Sequence, residues 1–396
     1  MKSTLLIPML LIASLGYSQT FIQAYKTRAQ LVTQANINTH LSNFASYGIK
    51  KTGTTANNNA AAWLQSEYSS FGYTASEITT QNFTYNGNST KNIIVTKTGT
   101  TYPNTFIIIC GHYDTVGGVG ANDNGSGVSI ILEAARILKN VPTEYSIKFI
   151  NFSGEEQGLL GSQSYVTNVV NATNPKMDIK LVFNIDQVGG KAGANNTNIT
   201  VDYDDTPYSP NGMYPGYPSS NNAASVVVSN QLKTCMELYS PLTASLFYGE
   251  RTDYIPFDKN GEIFTGLYET IESARPHTSG DTVVNMDPVY LLKVAQGAIG
   301  GLQHFAGAST TVLGTTDVKK ELKDRVSIFP NPANDFINIG IDGKGYNSTV
   351  TDMSGRTLIN SKDEQTINTS KLKTGVYLLT VVEDGQSTTK KFIIKK

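Results

Sequence analysis

Short apolar runs recurring between helical segments constrain this chain more than any other feature. Phe106-Ile107-Ile108-Ile109-Cys110, Ile147-Lys148-Phe149-Ile150 and Leu181-Val182-Phe183-Asn184-Ile185 show little or no alternation of apolar with polar residues. A strand of that kind is buried on both faces, as in parallel sheets covered by helices on either side. Between the first two runs, Val128, Ile131, Leu132, Ala135 and Leu138 fall on one face of a helix expected over 126–139. Ala60-Ala61-Ala62-Trp63-Leu64 continues a helical pattern after the turn-rich Gly53–Asn57, and 289–305 reads as a closing helix. Further strand-like pieces lie at Phe83-Thr84-Tyr85 and Asn92-Ile93-Ile94-Val95. Strands alternating with helices predict an α/β domain: a central mixed, mostly parallel β-sheet flanked by helices.

The two ends of the chain differ from this body. Lys2, the apolar run Leu5–Ala13 and the small residues Gly16 and Ser18 read as a signal peptide over 1–18. The run is shorter than the roughly 20 apolar residues a membrane span needs. From 309 the texture becomes linker-like through Ser309-Thr310-Thr311 and Gly314-Thr315-Thr316, to about 325. Beyond it, Val326–Phe329, Phe336–Ile339, Val376–Leu379 and Phe392–Ile394 are spaced by turn signals, predicting a small all-β sandwich over 326–396. The boundaries expected are therefore 1–18, a catalytic body at 19–308, a linker at 309–325 and the sandwich. A formal charge of −1 gives no electrostatic footprint for nucleic acid, and two cysteines cannot staple a fold of 396 residues.

Chemistry gathers at the strand ends. His112 follows the first run in Gly111-His112-Tyr113-Asp114, and such ends are where open α/β sheets place ligands. Asp123 sits in the turn opening the 126–139 helix, Glu155 and Glu156 follow the second run, and Asp186 follows the third. His277 lies in Pro276-His277-Thr278-Ser279-Gly280-Asp281. Each alone has an ordinary reading: an Asp before a helix is usually an N-cap, and paired glutamates usually form a solvated face. Together, two histidines and three carboxylates would give two ions three ligands each if one carboxylate is shared. Imidazole with carboxylate suits zinc, and the fourth carboxylate would be left free to act as a base.

The motifs resemble a known family. Gly111-His112-Tyr113-Asp114-Thr115, Gly120–Gly127, Phe152–Ser162, Asn184–Gly189, Thr252-Asp253-Tyr254 and His277–Thr282 are similar, in order, to those of the co-catalytic di-zinc aminopeptidases that include secreted bacterial leucyl aminopeptidases. The resemblance spans roughly 50–305 and implies a zinc exopeptidase-like fold with two Zn2+ per chain. It implies that His112 and Asp186 hold one ion, Glu156 and His277 the other, and that Asp123 bridges them. Glu155 would be the general base. Asp114 would orient His112, and Asp281 would do the same for His277. The implied substrates are peptides with a free N-terminus. Many relatives carry a tyrosine where this chain has Pro276, so Tyr248 becomes a candidate for contact with substrate or transition state, beside an ordinary role as pocket wall. Arg251 and Asp253 fall near the expected cleft without assigned roles.

The tail resembles the C-terminal sorting domains of type IX secretion substrates, through Ile328–Ala333, Asp352–Arg356, Leu372–Tyr377 and Phe392–Lys396. That implies the type IX machinery as partner, and export through the periplasm to the cell surface or medium. A carbohydrate- or surface-binding sandwich is the rival for the tail. For the body the rivals are a glutaminyl cyclase, a carboxypeptidase or dipeptidase relative, and a receptor ectodomain without catalysis; sharing a fold does not separate them. Asp202-Tyr203-Asp204-Asp205 reads as a solvated acidic loop, with calcium the alternative. Cys110 reads as an inert core thiol, with pairing to Cys235 left open. His304 reads as exposed or as a charge partner at a helix C-terminus, and His40 as equally ordinary.

Overall fold

The structure is a computed structural model that describes residues 19–204, 221–249, 252–273, 275–311, 326–341, 345–383 and 386–396. The expected signal peptide, the linker from 312 on, Asp205 and Arg251 lie outside them. Two compact units divide at Thr311.

The first unit opens with α1 (Gln23–Ala29), α2 (Gln34–Ser46) and α3 (Thr55–Ser70). The hairpin β1 (Ile78–Tyr85) and β2 (Asn88–Lys97) leads into β3 (Tyr102–His112), α4 (Gly125–Leu138), β4 (Tyr145–Phe152), α5 (Leu160–Tyr165) and β5 (Asp178–Ile185). There follow β6 (Asn198–Tyr203), α6 (Asn222–Tyr239), β7 (Thr243–Tyr248), α7 (Ile255–Lys259), β8 (Phe264–Glu269) and α8 (Pro288–Phe305). The strands form one sheet in the order β1-β2-β4-β3-β5-β8-β6-β7. Its centre, β4-β3-β5-β8, is parallel, and antiparallel pairings flank it on both sides. The mixed, mostly parallel sheet read from the sequence is the one found.

Strand alternation sorts the core into two layers. Ile107 and Ile109 of β3 and Phe183 and Ile185 of β5 pack under α2, α3, α4 and α8. Ile108, Cys110 and Val182 face the opposite way, onto Tyr165, Val166 and Phe257. Ile107 through Cys110 have no exposure at all, which is why that run carries no polar residue. Truncating one such isoleucine to alanine costs about 2–5 kcal/mol. The second layer's parity, continued past the strand ends, is the parity of His112 and Asp186. The sheet thus lifts both side chains to one side as it leaves the core.

α4 starts on an asparagine: Asn124 Oδ1 accepts the Gly127 amide at 2.9 Å, so the cap falls one residue beyond Asp123 and leaves its carboxylate free. α8 begins at Pro288 behind the Asp287 cap. Residues 309–311 remain tied to this unit through Arg28 and the Pro142 carbonyl. Cys110 and Cys235 are both buried and free, so no disulfide joins them.

The second unit contains β9 (Ser327–Phe329), β10 (Phe336–Gly340), β11 (Asn347–Asp352), β12 (Thr357–Lys362), β13 (Thr366–Asn368), β14 (Gly375–Glu383) and β15 (Gln386–Ile394). Antiparallel sheets β13-β10-β9 and β12-β11-β14-β15 close on one core in which Ile337, Ile339 and Ile367 meet Val350, Leu379, Val381 and Phe392. This is the expected small sandwich.

Candidate metal centre

Four of the expected ligands come from the carboxyl ends of adjacent central strands. His112 is the last residue of β3 and Asp186 follows β5. Glu156 follows β4 across the Gly154 turn, and Asp123 comes from the loop between β3 and α4. His277 arrives from the loop after β8 with its backbone in the left-handed region, at φ 57°. That conformation is uncommon for a residue with a Cβ, and strained positions of this kind gather at functional sites.

The five converge into two overlapping trios, His112-Asp123-Asp186 and Asp123-Glu156-His277. His112 Nε2 lies 3.1 Å from Asp123 Oδ1 and 3.3 Å from Asp186 Oδ1. His277 Nε2 lies 3.1 Å from Asp123 Oδ2 and 3.0 Å from Glu156 Oε2. Asp123 therefore turns one oxygen to each trio. Zinc ligands about 2.1 Å from a tetrahedral ion stand roughly 3.4 Å apart, close to these separations. Glu156 Oε1 is buried without a hydrogen bond, as an oxygen awaiting a cation would be. The donor set and the spacing both fit zinc.

Electrostatics argue the same way. Burial works against a charged His112, yet the Asp186 and Glu155 charges prevail and hold its imidazole well above the usual range. Burial and the Asp123 charge push the Glu156 carboxyl up to about 8. His277 is pushed up to about 9, first by its hydrogen bond with Asp123. Burial opposes ionisation of Asp123, but hydrogen bonds from both histidines bring it down to about 2. So much negative charge in a desolvated space needs compensation by protons or by cations. Neither potential metal group among the described residues includes Glu155. Burial raises its carboxyl well above the ordinary range, opposed by His112 and reinforced by Asp186, Asp253 and Asp114.

A hydrogen-bonded shell holds these groups. His112 Nδ1 faces the Asp114 main-chain carbonyl at 3.1 Å, an arrangement that leaves Nε2 free to bind an ion. The Asp114 carboxylate stands 3.7 Å from that nitrogen and accepts instead from the Glu155 and Glu156 amides at 3.2 and 3.3 Å, and from Thr52. It orients the glutamate pair as much as the histidine. The expectation for Asp281 is corrected: its two oxygens accept the Asn122 and Asp123 amides at 2.8 and 3.0 Å, so it steadies the shared ligand and not His277.

Sequence reasoning missed Glu269, Asn122 and Lys50. Buried Glu269 accepts from the Asn122 side chain and from the Ser273 and Gly190 amides, tying β8 to the Asp123 loop. Lys50 buries its ammonium against the carbonyls of Phe44, Gly48 and Val119 at 3.2, 2.9 and 2.7 Å, clamping α2 to the same loop. No motif marks these residues; only Asn122, next to Asp123, lay in a quoted segment. Gly117 and Gly118 seat the last loop, since a Cβ on either would fall 2.0 Å from the His277 or Thr278 carbonyl.

Other expectations change. Tyr248 ends β7 with its ring beside Tyr203 and Phe247, and among the described contacts none joins it to the trios. Asp253 is buried, and burial pushes its carboxyl up to about 7. Asp202 and Asp204 are buried, not solvated, and neither potential metal group among the described residues includes them. His304 is no charged cap: it bonds the Tyr239 hydroxyl at 2.7 Å, and burial lowers it to about 4. His40 is part of a buried pair with Glu133, which Arg136 completes.

The family model described as "Peptidase family M28" matches residues 92–300, and "Secretion system C-terminal sorting domain" matches 327–395. An aminopeptidase of Pseudomonas aeruginosa is 28% identical over 222 residues, covering 55% of this chain and 37% of its own. The chain spans less than half the length of such curated relatives. Among solved structures, the Legionella pneumophila LapA aminopeptidase superposes with a TM-score of 0.60 at 19% identity, over 73% of this chain and 75% of that one. A glutaminyl cyclase of Fimbriiglobus ruber reaches 0.51 at 17% identity, over 68% and 95%; both likenesses concern the fold alone.

Proposed function

The chain belongs to peptidase family M28 and ends in a secretion-system sorting domain, and on that premise we propose that it is an exported two-zinc aminopeptidase. His112, Asp123 and Asp186 would hold one ion and Asp123, Glu156 and His277 the other. The observation that carries this reading is the division of the Asp123 carboxylate, with Oδ1 and Oδ2 each 3.1 Å from a different histidine. When bound, zinc supplies Lewis acidity toward the scissile carbonyl and a water of lowered pKa.

The protein's own part is proton handling and orientation. Glu155 is the desolvated carboxylate beside the trios that takes no ligand position, and its raised proton affinity suits a general base. It accepts a proton from water as the oxygen–carbonyl carbon bond forms. It returns that proton to the departing amine nitrogen as the peptide C–N bond breaks. Asp114 fixes the turn that carries it through the Glu155 and Glu156 amides. The sandwich is the export signal and takes no part in hydrolysis.

The test couples metal analysis to a substrate panel. Two zincs per chain and release of aminoacyl nitroanilides, blocked by N-acetylation, are expected. Glu155→Gln should keep both ions and lose about 10²–10⁴-fold in kcat. One zinc with pyroglutamate formation from N-terminal glutamine would replace this reading with a cyclase.

A further inference from the structure

Tyr268 stands at the flank of the metal centre, and its surroundings bear on which substrates enter. β5 and β8 run parallel with Asn184 beside Gly266 and Ile185 beside Leu267. One more step of that register sets Tyr268 next to Asp186, at the strand spacing of about 4.8 Å. By alternation it shares the sheet face of Asp186 and His112. The Tyr268 phenol oxygen lies 3.0 Å from Gln187 Oε1 and 3.1 Å from Glu272 Oε1. One hydroxyl proton serves only one of these acceptors at a time, so one of the two oxygens, that of Gln187 or that of Glu272, takes no hydrogen bond from the phenol. Gln187 is held at φ 45°, where glycine would sit without strain, so its side chain is kept there at a cost.

The wall is acidic. The charges felt by the Tyr268 phenol are those of Asp186, Glu272 and Glu269. Glu272 is exposed and, among the described residues, enters no ion pair. Arg275, three residues on, lies against Gly280 instead: a Cβ there would fall 2.4 Å from the Arg275 Cδ.

We propose that Gln187, Tyr268 and Glu272 form a specificity wall beside the metal centre that favours substrates beginning with lysine or arginine, whose cationic side chain pairs with Glu272. The inference rests on the aminopeptidase reading and names its substrate class. Its test is the ratio of kcat/KM for lysyl- over leucyl-aminomethylcoumarin, measured on the zinc-loaded full chain. A ratio within one preparation cancels losses of folded or loaded protein.

The ratio should exceed one in the parent chain and fall about five-fold in Glu272→Gln, the order expected of a partly exposed ion pair. It should fall further in Glu272→Lys, and by a smaller factor in Tyr268→Phe, which removes the phenol that anchors the carboxylate. A parent ratio at or below one, or a ratio untouched by Glu272→Gln, overturns the wall while leaving the aminopeptidase reading intact. If neither substrate is cleaved, that reading fails first. Calorimetry with L-lysinamide and L-leucinamide then decides the wall independently: tighter lysinamide binding that Glu272→Gln abolishes supports it, and equal binding overturns it.

Discussion

The His112 side chain is 1% exposed at the end of a central strand, whereas the His277 side chain is 57% exposed on a loop beyond β8. Asp186 resembles the former in its mounting, standing directly on β5. Glu156 belongs with the latter in position but not in exposure, its side chain being 4% exposed after the Gly154 turn. One half of the centre is therefore made by the sheet and the other largely by loops laid across it. Rigid elements hold coordinating atoms more closely than loops do. The sheet-borne half should bind tightly and with little reorganisation. On the two-zinc reading, the loop-borne half, with the His277 side chain 57% exposed, would be the side from which water, substrate and ions enter.

The shared residue offers the harshest trial of this contrast. Asp123→Asn removes a charge from both halves, so zinc content should fall toward zero and kcat/KM by about a thousand-fold or more, since both open positions are lost together. Atomic absorption on dialysed protein reads the first and a nitroanilide assay the second. If one full equivalent of zinc survives, the bridge is wrongly assigned.

Next in size is the split between the histidines. His277→Ala should release one equivalent and leave the other bound, with the melting temperature little changed. His112→Ala should weaken the tighter equivalent and also lower the melting temperature, because it takes the histidine from buried Asp186 and leaves Asp123 only its contact with His277. Equal losses from the two variants would erase the distinction.

Asp281→Asn probes the contrast from behind. It keeps the shape but weakens the acceptor of the Asn122 and Asp123 amides, and outer-shell changes of this kind cost about 10–100-fold in metal affinity. Both equivalents should weaken, which competition with a chelator would show.

The mildest effect is a pH slope in zinc-free protein. His277 is raised to about 9, so its favourable contribution is complete below its ordinary value of 6.5 and fades as pH climbs through 9. Glu156, raised to about 8, contributes in the same sense: what it adds is complete below 4.5 and fades through 8. The melting temperature of the chelated protein should therefore decline between pH 6.5 and 9, and His277→Ala should flatten that decline. A rising curve would refute the sign.

The same contrast governs what could be read from the residues alone. The strand ends were legible because Phe106–Cys110 and Leu181–Ile185 announce a doubly covered sheet, and a histidine or aspartate at the tip of such a strand is conspicuous. The pairing of distant ligands was legible only through family resemblance. The cap was not: Asn122-Asp123-Asn124 offers three good capping residues in a row, and only the placement of Gly127 picks Asn124. Asp281 was misread because its partners lie more than 150 positions away, on a loop whose fold against residues 117–123 leaves no periodic trace. Lys50 and Glu269 were invisible for a similar reason: main-chain groups supply most of their partners, and main chain has no signature in composition.

Gly117 and Gly118 give the exposed loop a floor made of bare backbone. The carbonyls of His277 and Thr278 already rest on it, so that strap has nowhere to travel inward. Whatever excursions it makes are outward, toward water. On the two-zinc reading, loading and loss of a cation at His277 would then proceed by a door that swings in one direction only, its stop set by two residues outside the ligand set.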